Sequence, residues 1–221
     1  ATPYITFISV LIISLLVPVL SSQVPLNFTG DIILIIYLFA LARFFLVLTS
    51  LDTGSAFGGM GGSREMMVSS MAEPAMILSF FTVALTVNST NLSNITSTLL
   101  NNSILLLNPS LILAFAALTI VLIAETGRIP VDNPFTHLEL TMIHEGMMLE
   151  FSGRYLALVE WASSMKLLLL LTILVNIFFP WGIAGGLTFS GLIIAFALYV
   201  VKIGFFAFVI VIVEMSFAKI R

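Results

Sequence analysis

The sequence contains no cysteine among its 221 residues, and only 9% of them are charged. Iron–sulfur clusters need thiolate ligands and structural zinc sites usually do, so the chain itself offers neither kind of centre its usual ligands. A soluble domain has about 25% charged residues, and so few charges could not cover an apolar surface in water. The formal net charge of −3 is too small to indicate nucleic acid as a partner.

Apolar residues are abundant instead. They make up 60% of the chain, and the mean hydropathy is +1.19. A membrane-spanning helix needs about 20 predominantly apolar residues. The sequence therefore predicts an all-α, polytopic integral membrane protein that forms a single transmembrane domain over residues 1–221. The six predicted spans are 3–20, 31–49, 66–87, 109–125, 158–180 and 187–214.

The connections between these spans alternate in charge. The loops 50–65 and 126–157 and the tail 215–221 hold most of the ionisable residues, whereas the loops 21–30, 88–108 and 181–186 hold none. The positive-inside rule places the charged connections in the cytoplasm. With six crossings, both ends of the sequence are expected on the cytoplasmic side and the uncharged loops on the outer side.

The outer loop 88–108 and its neighbour 21–30 contain N-x-[ST] sequons. Glycosylation is possible there in a host that has the machinery. A polar, uncharged loop rich in Asn and Ser is the simpler interpretation and is favoured. The sequons begin at Asn27, Asn88, Asn91, Asn94 and Asn101.

Three short motifs are suggestive, but their context argues against the usual chemistry. Residues 52–55 read D-T-G-S as in aspartic proteases, yet that chemistry needs two facing copies. The glycine-rich run 58–63 lacks the lysine of a phosphate-binding loop, and a flexible or close-packed turn is the better interpretation. His144-Glu145 is not a zinc motif, because methionine stands where the second histidine belongs. His137 and His144 could form a metal pair, but hydrogen-bonded structural histidines are favoured.

Ionisable residues inside predicted spans are functional candidates, because each costs at least about 2.5 kcal/mol at a helix centre. Lys202 lies near the middle of the last span and Glu73 about two turns into the third. Arg43, Lys166 and Glu160 lie nearer the cytoplasmic end. For these three, snorkelling or a structural ion pair is as reasonable as a functional role.

The densest cluster of ionisable residues is the segment 125–154. Pro130 ends the incoming helix, and Asn133 before Pro134 predicts the start of a new, cytoplasmic one. Such a helix suits a docking surface, or a partly buried chain of proton-exchanging groups beside Glu125 and Asp132. Glu139 and Glu150 share one stripe of this helix, with His137 and His144 roughly opposite.

These residues also carry a family resemblance. E-x-x-R-x-P-x-D at 125–132 and E-F-S-G at 150–153 resemble the subunit 1 (H-type) membrane family of respiratory complex I. The fuller motif at 132–145 and the stretch 42–74 are similar to the group 4 membrane-bound [NiFe]-hydrogenases and to hydrogenase-4 or formate hydrogenlyase-like complexes. Members of this family have about eight spanning helices, whereas six are predicted here, so we expect this sequence to be part of a longer chain.

The resemblance implies a function. It implies the membrane anchor and coupling subunit of a respiratory, ion-pumping [NiFe]-hydrogenase-type complex in a prokaryotic plasma membrane. Such a subunit links electron transfer and proton reduction in the peripheral arm to proton or sodium translocation. The implied partners are hydrogenase-like large and small (iron–sulfur) subunits on the cytoplasmic face and antiporter-like membrane subunits. The NiFe centre and the iron–sulfur clusters would lie in those partners, with no cofactor and no catalytic residue in this chain.

The resemblance and the placement of charge together give the candidate residues. The arginines are expected to hold the carboxylates electrostatically. For a proton relay or coupling the candidates are Glu73, Glu125, Asp132, Glu139, Glu150 and Lys202. For electrostatic support and docking they are Asp52, Arg64, Arg128, His137, His144, Glu145 and Arg154.

Two alternatives remain open. One is the quinone-site subunit 1 of a complex I-like NADH or ferredoxin:quinone oxidoreductase. Phe135 and His137 stand where that branch has additional carboxylates, which favours the hydrogenase branch. The other is a stand-alone secondary transporter, which Lys202 and Glu73 permit but the long charged loop does not favour.

Overall fold

The computed structural model describes residues 1–21, 30–129, 131–132, 143–149, 151–184 and 189–217. Within these ranges the regular secondary structure is helical, with two isolated β-bridges and no strand. The predicted all-α, polytopic membrane class is therefore confirmed. The helices are α1 (Thr2–Leu16), α2 (Ile32–Asp52), α3 (Ala56–Val87), α4 (Leu92–Asn101), a 3-10 helix (Ser103–Leu107), α5 (Pro109–Glu125), α6 (His144–Met148), α7 (Arg154–Phe178) and α8 (Phe189–Phe217).

Six of these helices correspond to the six predicted spans. Four of them, α2, α3, α7 and α8, are long and apolar enough to cross a membrane. The other two, α1 and α5, are equally apolar but have only 15 and 17 residues. The number of crossings and the side on which each loop lies stay predictions.

The segment 50–65, predicted as a loop, is mostly helical. α2 continues to Asp52, and α3 begins at Ala56 after a short turn in which the Ser55 hydroxyl accepts a hydrogen bond from Gly58 N. Glycine weakens a helix by about 1 kcal/mol per residue relative to alanine. Here the glycines lie inside α3, where two of them, Gly58 and Gly61, approach neighbouring backbone more closely than a residue with a side chain could. The glycine-rich run 58–63 is therefore closely packed, as we expected, but the prediction that it forms a turn was wrong, because it is helical.

The outer loop 88–108 also contains regular structure. Asn91 caps α4 by accepting hydrogen bonds from Ser93 N and Asn94 N at 3.0 and 3.3 Å. α4 buries Leu92, Ile95 and Leu99 in the main apolar core. This short amphipathic helix therefore closes one end of the bundle, and glycosylation of the sequons stays a prediction.

The bundle packs around α3 and α7. α3 lies against α2, α5 and α6, and α1 lies against α2 and α7. Asn176 of α7 is buried and donates its side-chain amide to the carbonyl of Pro18, which ties α7 to the end of α1. α8 packs mainly against α7 and is largely exposed to the surroundings of the chain.

Candidate functional site

Arg43 of α2 is the centre of a buried ion-pair cluster, although its side chain is only 4% exposed. Its guanidinium pairs with Glu65 at 3.7 Å and with Glu73 at 2.7 Å, both on α3, and with Glu125 at the end of α5. A buried arginine remains charged, so it needs such carboxylates around it. The planar, multidentate guanidinium is suited to hold several carboxylates at once.

Lys166 of α7 brings a second cation to the same carboxylate. Its ammonium donates a hydrogen bond to the backbone carbonyl of Glu125 at 3.0 Å and lies 3.6 Å from that residue's Oε1. Three carboxylates and two cations from four helices thus form one group with a formal charge of −1. We call these residues the Arg43 cluster: Arg43, Glu65, Glu73, Glu125 and Lys166.

The members of the Arg43 cluster differ in their access to the surface. The side chain of Glu125 is 2% exposed and that of Glu65 is 15% exposed, whereas that of Glu73 is 37% exposed. Glu73 therefore lies at the lateral edge of the bundle. In the described part of the chain, Glu73 is thus the carboxylate of the cluster that a neighbouring protein reaches most readily.

Asp132 organises the cytoplasmic segment from within. Its buried carboxylate accepts hydrogen bonds from Ile143 N at 3.2 Å and from His144 N at 3.0 Å. These are the first backbone N–H groups of α6, where a carboxylate is favoured by both hydrogen bonding and the helix dipole. Asp132 thus fixes the start of α6, and with it the position of His144.

α6 rests on the glycine-rich part of α3. A Cβ added at Gly61 would lie 2.9 Å from the carbonyl oxygen of Ile143 and 3.4 Å from Cγ of Met147. A Cβ at Gly146 would lie 3.6 Å from the carbonyl oxygen of Phe57. The two backbones come this close because neither glycine has a side chain.

Two cavities adjoin at His144. The first cavity, about 50 Å³, is lined by Arg43, Glu65, Glu125, His144, Ser163 and Lys166 among others, and we call it the buried cavity because all of its lining residues are buried or half-buried. The surface cavity, about 280 Å³, is lined by residues that include Arg128, Asp132, His144, Glu145, Met148 and Glu214. At about 10–15 Å³ per water, the buried cavity has room for a few water molecules.

His144 lies among charged groups of both signs. Burial, the largest influence, lowers its pKa from the ordinary value. Lys166 lowers this pKa as well, whereas Glu65 and Asp132 raise it. The imidazole is therefore mostly neutral at pH 7, which leaves it able to accept a proton.

The structure brings together some of the predicted relay residues. Glu73 and Glu125 meet on Arg43, and Asp132 lies beside the same region through α6. Glu139, Glu150 and His137 lie outside the described residues. Lys202 makes no ion pair within the described part of the chain, and instead donates hydrogen bonds to the carbonyls of Phe179, at 2.7 Å, and Trp181.

The predicted supporting residues are placed differently from expectation. Arg128 pairs with Glu214 at 3.2 Å, and Arg154 donates to the Tyr155 hydroxyl at 3.0 Å. Neither Asp52 nor Arg64 is in an ion pair within the described ranges. Glu145 is exposed at the edge of the surface cavity. The carboxylates of the cluster are held by Arg43 and Lys166, for which the sequence favoured a structural and a functional role equally. The sequence analysis had expected Arg64 and Arg128 to hold them.

Glu65 is a cluster member that the sequence analysis missed. It lies eight residues before Glu73, slightly more than two turns of the same helix. This helical spacing is recognisable only if residues 56–65 are treated as part of α3. Their glycine-rich composition led to the prediction of a loop instead.

Lys202 offers a first prediction. Changing Lys202→Met removes the donor for the Phe179 and Trp181 carbonyls, which link α8 to the end of α7. One of these hydrogen bonds is exposed to the surroundings, so losing the two should destabilise this contact by about 1–3 kcal/mol, at about 0.5–1.5 kcal/mol each. Hydrogen exchange of α8 is expected to accelerate. The variant Tyr199→Phe, which removes a single hydrogen bond of 2.8 Å to Thr172, is expected to accelerate it less. Lost ion translocation with unchanged exchange would instead support the relay role predicted for Lys202.

Within the described residues, no group of three or more His, Asp or Glu side chains could hold a metal ion. The charged side chains of the site offer acid–base and electrostatic chemistry. They can hold, exchange and electrostatically respond to protons, and the Arg43 cluster is where these groups are concentrated.

Comparisons with known proteins agree with this description. The family model for NADH dehydrogenase matches residues 1–221. Formate hydrogenlyase subunit 4 of Escherichia coli is 37% identical over 224 residues, which cover all of this chain and 70% of that protein. Hydrogenase-4 component C of Escherichia coli is 35% identical over 203 residues, covering 91% of this chain and 62% of the relative. A solved structure of an archaeal respiratory membrane complex, the membrane-bound sulfane sulfur reductase, contains a chain with the same fold. The TM-score is 0.82 at 20% identity, over 98% of this chain and 69% of that one.

Proposed function

The chain belongs to the NADH dehydrogenase family, and from this premise we propose that it is the membrane anchor and coupling subunit of an ion-pumping, hydrogenase-type respiratory complex. Its two Escherichia coli relatives are a formate hydrogenlyase subunit and a hydrogenase-4 component. The observation that carries the coupling role is the Arg43 cluster. It places five ionisable side chains at the contact of four helices.

The cluster is suited to transmit a charge change. Each carboxylate contacts Arg43, so protonation of one leaves the guanidinium free to bind the others more closely. In a site of low dielectric such changes are much stronger than in water. A proton delivered near Glu125 or Glu65 therefore alters the proton affinity of Glu73.

The part of the bundle that lies away from the Arg43 cluster favours transfer of this charge sideways, to a neighbouring subunit, over transfer across the bundle. Beyond the cluster, helices α1, α2, α3, α5 and α7 pack through one continuous apolar core, into which α4 also inserts. The buried polar side chains Ser79, Thr172 and Asn176 already donate hydrogen bonds to backbone carbonyls. An ion crossing that core would therefore meet mainly apolar side chains and lose most of its water, at a cost of many kcal/mol. Glu73, at the lateral edge, is the natural point of transfer to a neighbouring membrane subunit. A stand-alone transporter is disfavoured for the same reason.

The partners follow from this proposal. Antiporter-like membrane subunits would contact the bundle near Glu73, and hydrogenase-like large and small subunits would dock on the face that carries α6. The NiFe centre and the iron–sulfur clusters would lie in those docked subunits, since this chain has no cysteine. The whole complex would lie in a prokaryotic plasma membrane, with α6 on the cytoplasmic side.

The quinone alternative depends on the surface cavity. The buried cavity of about 50 Å³ is far below the roughly 300–1,000 Å³ of typical small-molecule sites, whereas the surface cavity of about 280 Å³ approaches that range. Quinone-dependent turnover by the purified complex, abolished by the bulky substitution Met148→Trp in the surface cavity, would favour this alternative over the hydrogenase one.

Glu73→Gln tests the coupling role directly. It keeps the size of the side chain but removes the titratable group from the edge of the cluster. In proteoliposomes containing the whole complex, we expect ion translocation to fall at least about tenfold, equivalent to about 1.4 kcal/mol. Hydrogenase activity with a soluble donor should remain, because the redox centres would lie in partner subunits.

Glu160→Gln is the matched control. Glu160 is an exposed glutamate of α7 that makes no ion pair within the described residues, so its substitution should leave both activities unchanged. Full translocation in Glu73→Gln would refute the coupling role of the cluster.

A further inference from the structure

We propose that His144 is the proton-exchange group between the surface cavity and the buried cavity, and hence the entry point of protons to the Arg43 cluster. This inference rests on the coupling role proposed above. It adds a direction of entry and assigns a residue that the sequence placed among docking and electrostatic groups.

The position of His144 is the first support. Within the described residues, it lines both cavities, together with Gly127. Gly127 has no side chain with which to exchange a proton, and a Cβ at that position would lie 3.6 Å from Cβ of His144. The imidazole is therefore the one titratable group in the described part of the chain that adjoins both spaces.

The second support is that His144 is held in place by its backbone. Its N–H donates to Asp132, and the next turn of α6 is pressed against Gly61 of α3. The side chain itself is half-buried and lines both cavities. The fixed backbone keeps the imidazole at the point where the two cavities adjoin, which proton exchange between them requires.

Charged groups approach His144 from each neighbouring element. Glu65 faces it from α3, Lys166 from α7 and Asp132 from the segment after α5. On its own helix, Glu145 lies at the surface cavity, where Arg128 and Glu214 also contribute. The carboxylates favour the imidazolium and the cations disfavour it, so the ring can bind a proton transiently without retaining it.

The transfer step conserves atoms and charge. A water in the surface cavity gives a proton to one ring nitrogen, which produces hydroxide there and an imidazolium at His144. The other ring nitrogen then releases its proton to a water or carboxylate of the buried cavity, which leaves the neutral ring in the opposite tautomer. A rotation of the ring about its Cβ–Cγ bond exchanges the two nitrogens and restores the starting arrangement. Buffer or hydronium neutralises the hydroxide at the surface, so the net result is one proton moved inward.

The contents of the buried cavity favour a proton over a metal cation. The space admits only a few waters, and the carboxylates of Glu65 and Glu125 on its wall are already paired with Arg43, with Lys166 beside Glu125. Hard metal cations take several oxygen ligands, which carboxylates already paired with cations supply poorly. A proton moves along short water chains and needs no such coordination shell.

Chemical rescue tests this proposal in the whole complex. His144→Ala removes the exchange group and leaves a space that opens to the surface cavity. Translocation should fall at least about tenfold and recover when imidazole is added. It should not recover with pyrrole, which has the same ring size but no basic nitrogen. Translocation is measured as membrane potential, since a permeant base dissipates a pH gradient but not a potential.

Met148→Ala is the matched control, because it also enlarges the surface cavity but removes no titratable group. Its translocation should not depend on imidazole.

An assembled His144→Ala complex that retains full translocation, fails to respond to imidazole, or responds equally to pyrrole would overturn the proposal. If His144→Ala does not assemble, His144→Gln decides: full translocation overturns the proposal, and lost translocation with intact hydrogenase activity supports it.

These outcomes separate the two proposals. If Glu73→Gln abolishes translocation while His144→Ala does not, the coupling role stands and His144 is not the point of entry. If Glu73→Gln leaves translocation intact, the coupling role itself fails, whatever the result at His144.

Discussion

Arg43→Met is expected to destabilise the folded protein by about 3–5 kcal/mol, the usual effect of removing one partner from a buried ion pair. The substitution leaves three carboxylates around an apolar side chain, and Glu125, at 2% exposure, has only the small buried cavity as a source of water. Lys166 can neutralise one of them but contacts only Glu125. The yield of assembled complex and its thermal unfolding in detergent should both fall sharply.

Two further variants separate charge burial from general damage. Arg128→Met removes an arginine whose side chain is 44% exposed and pairs with Glu214, so it should cost no more than about 1 kcal/mol. The double variant Arg43→Met with Glu125→Gln removes a buried negative charge together with the cation. It should regain part of the lost stability. If Arg43→Met unfolds like the unsubstituted protein, the Arg43 cluster is not a determinant of stability.

Gly61→Ala should detach α6 from α3, the second large effect. The added methyl would lie 2.9 Å from the carbonyl oxygen of Ile143, a backbone atom that cannot rotate away. Overpacking of this kind costs about 1–3 kcal/mol, and here it displaces the turn that carries His144. Residues 143–149 should exchange backbone hydrogen faster in mass spectrometry, and translocation should fall in parallel.

Gly59→Ala provides the same chemical change two residues earlier. Nothing lies within 4 Å of a Cβ at that position, and alanine favours a helix over glycine by up to about 1 kcal/mol. This variant should therefore be neutral or slightly stabilising. Equal exchange rates for residues 143–149 in the two variants would contradict the close contact between α3 and α6.

The predicted spans agree with the observed helices where a long apolar run determines the local structure. The spans are predictable because about 20 apolar residues have few alternatives to a buried helix. The candidates Glu73 and Glu125 were identifiable for a related reason: a charge inside such a span or at its end is costly and needs an explanation.

The rest depends on how separate helices meet. The pairing of Arg43 with three carboxylates joins residues 22 to 82 positions apart, and no periodicity of a single segment reveals it. The helical state of 56–65 was hidden because local glycine propensity opposes it, while contacts with α2 and α6 stabilise it. The roles of Lys202 and Arg128 depend on backbone and side-chain partners that only the packed bundle brings near.

The apolar core beyond the Arg43 cluster has a consequence for the membrane voltage. An electrical potential falls mainly across material of low dielectric, and here that is the half of the bundle filled by the core around Phe39, Phe80 and Leu174. Arg43 and its partners are then close to the potential of the side from which the surface cavity opens. Moving a full charge through 100 mV changes its free energy by about 2.3 kcal/mol. Proton uptake by this chain should therefore depend little on voltage, and the work against the membrane potential would be performed in the neighbouring subunits.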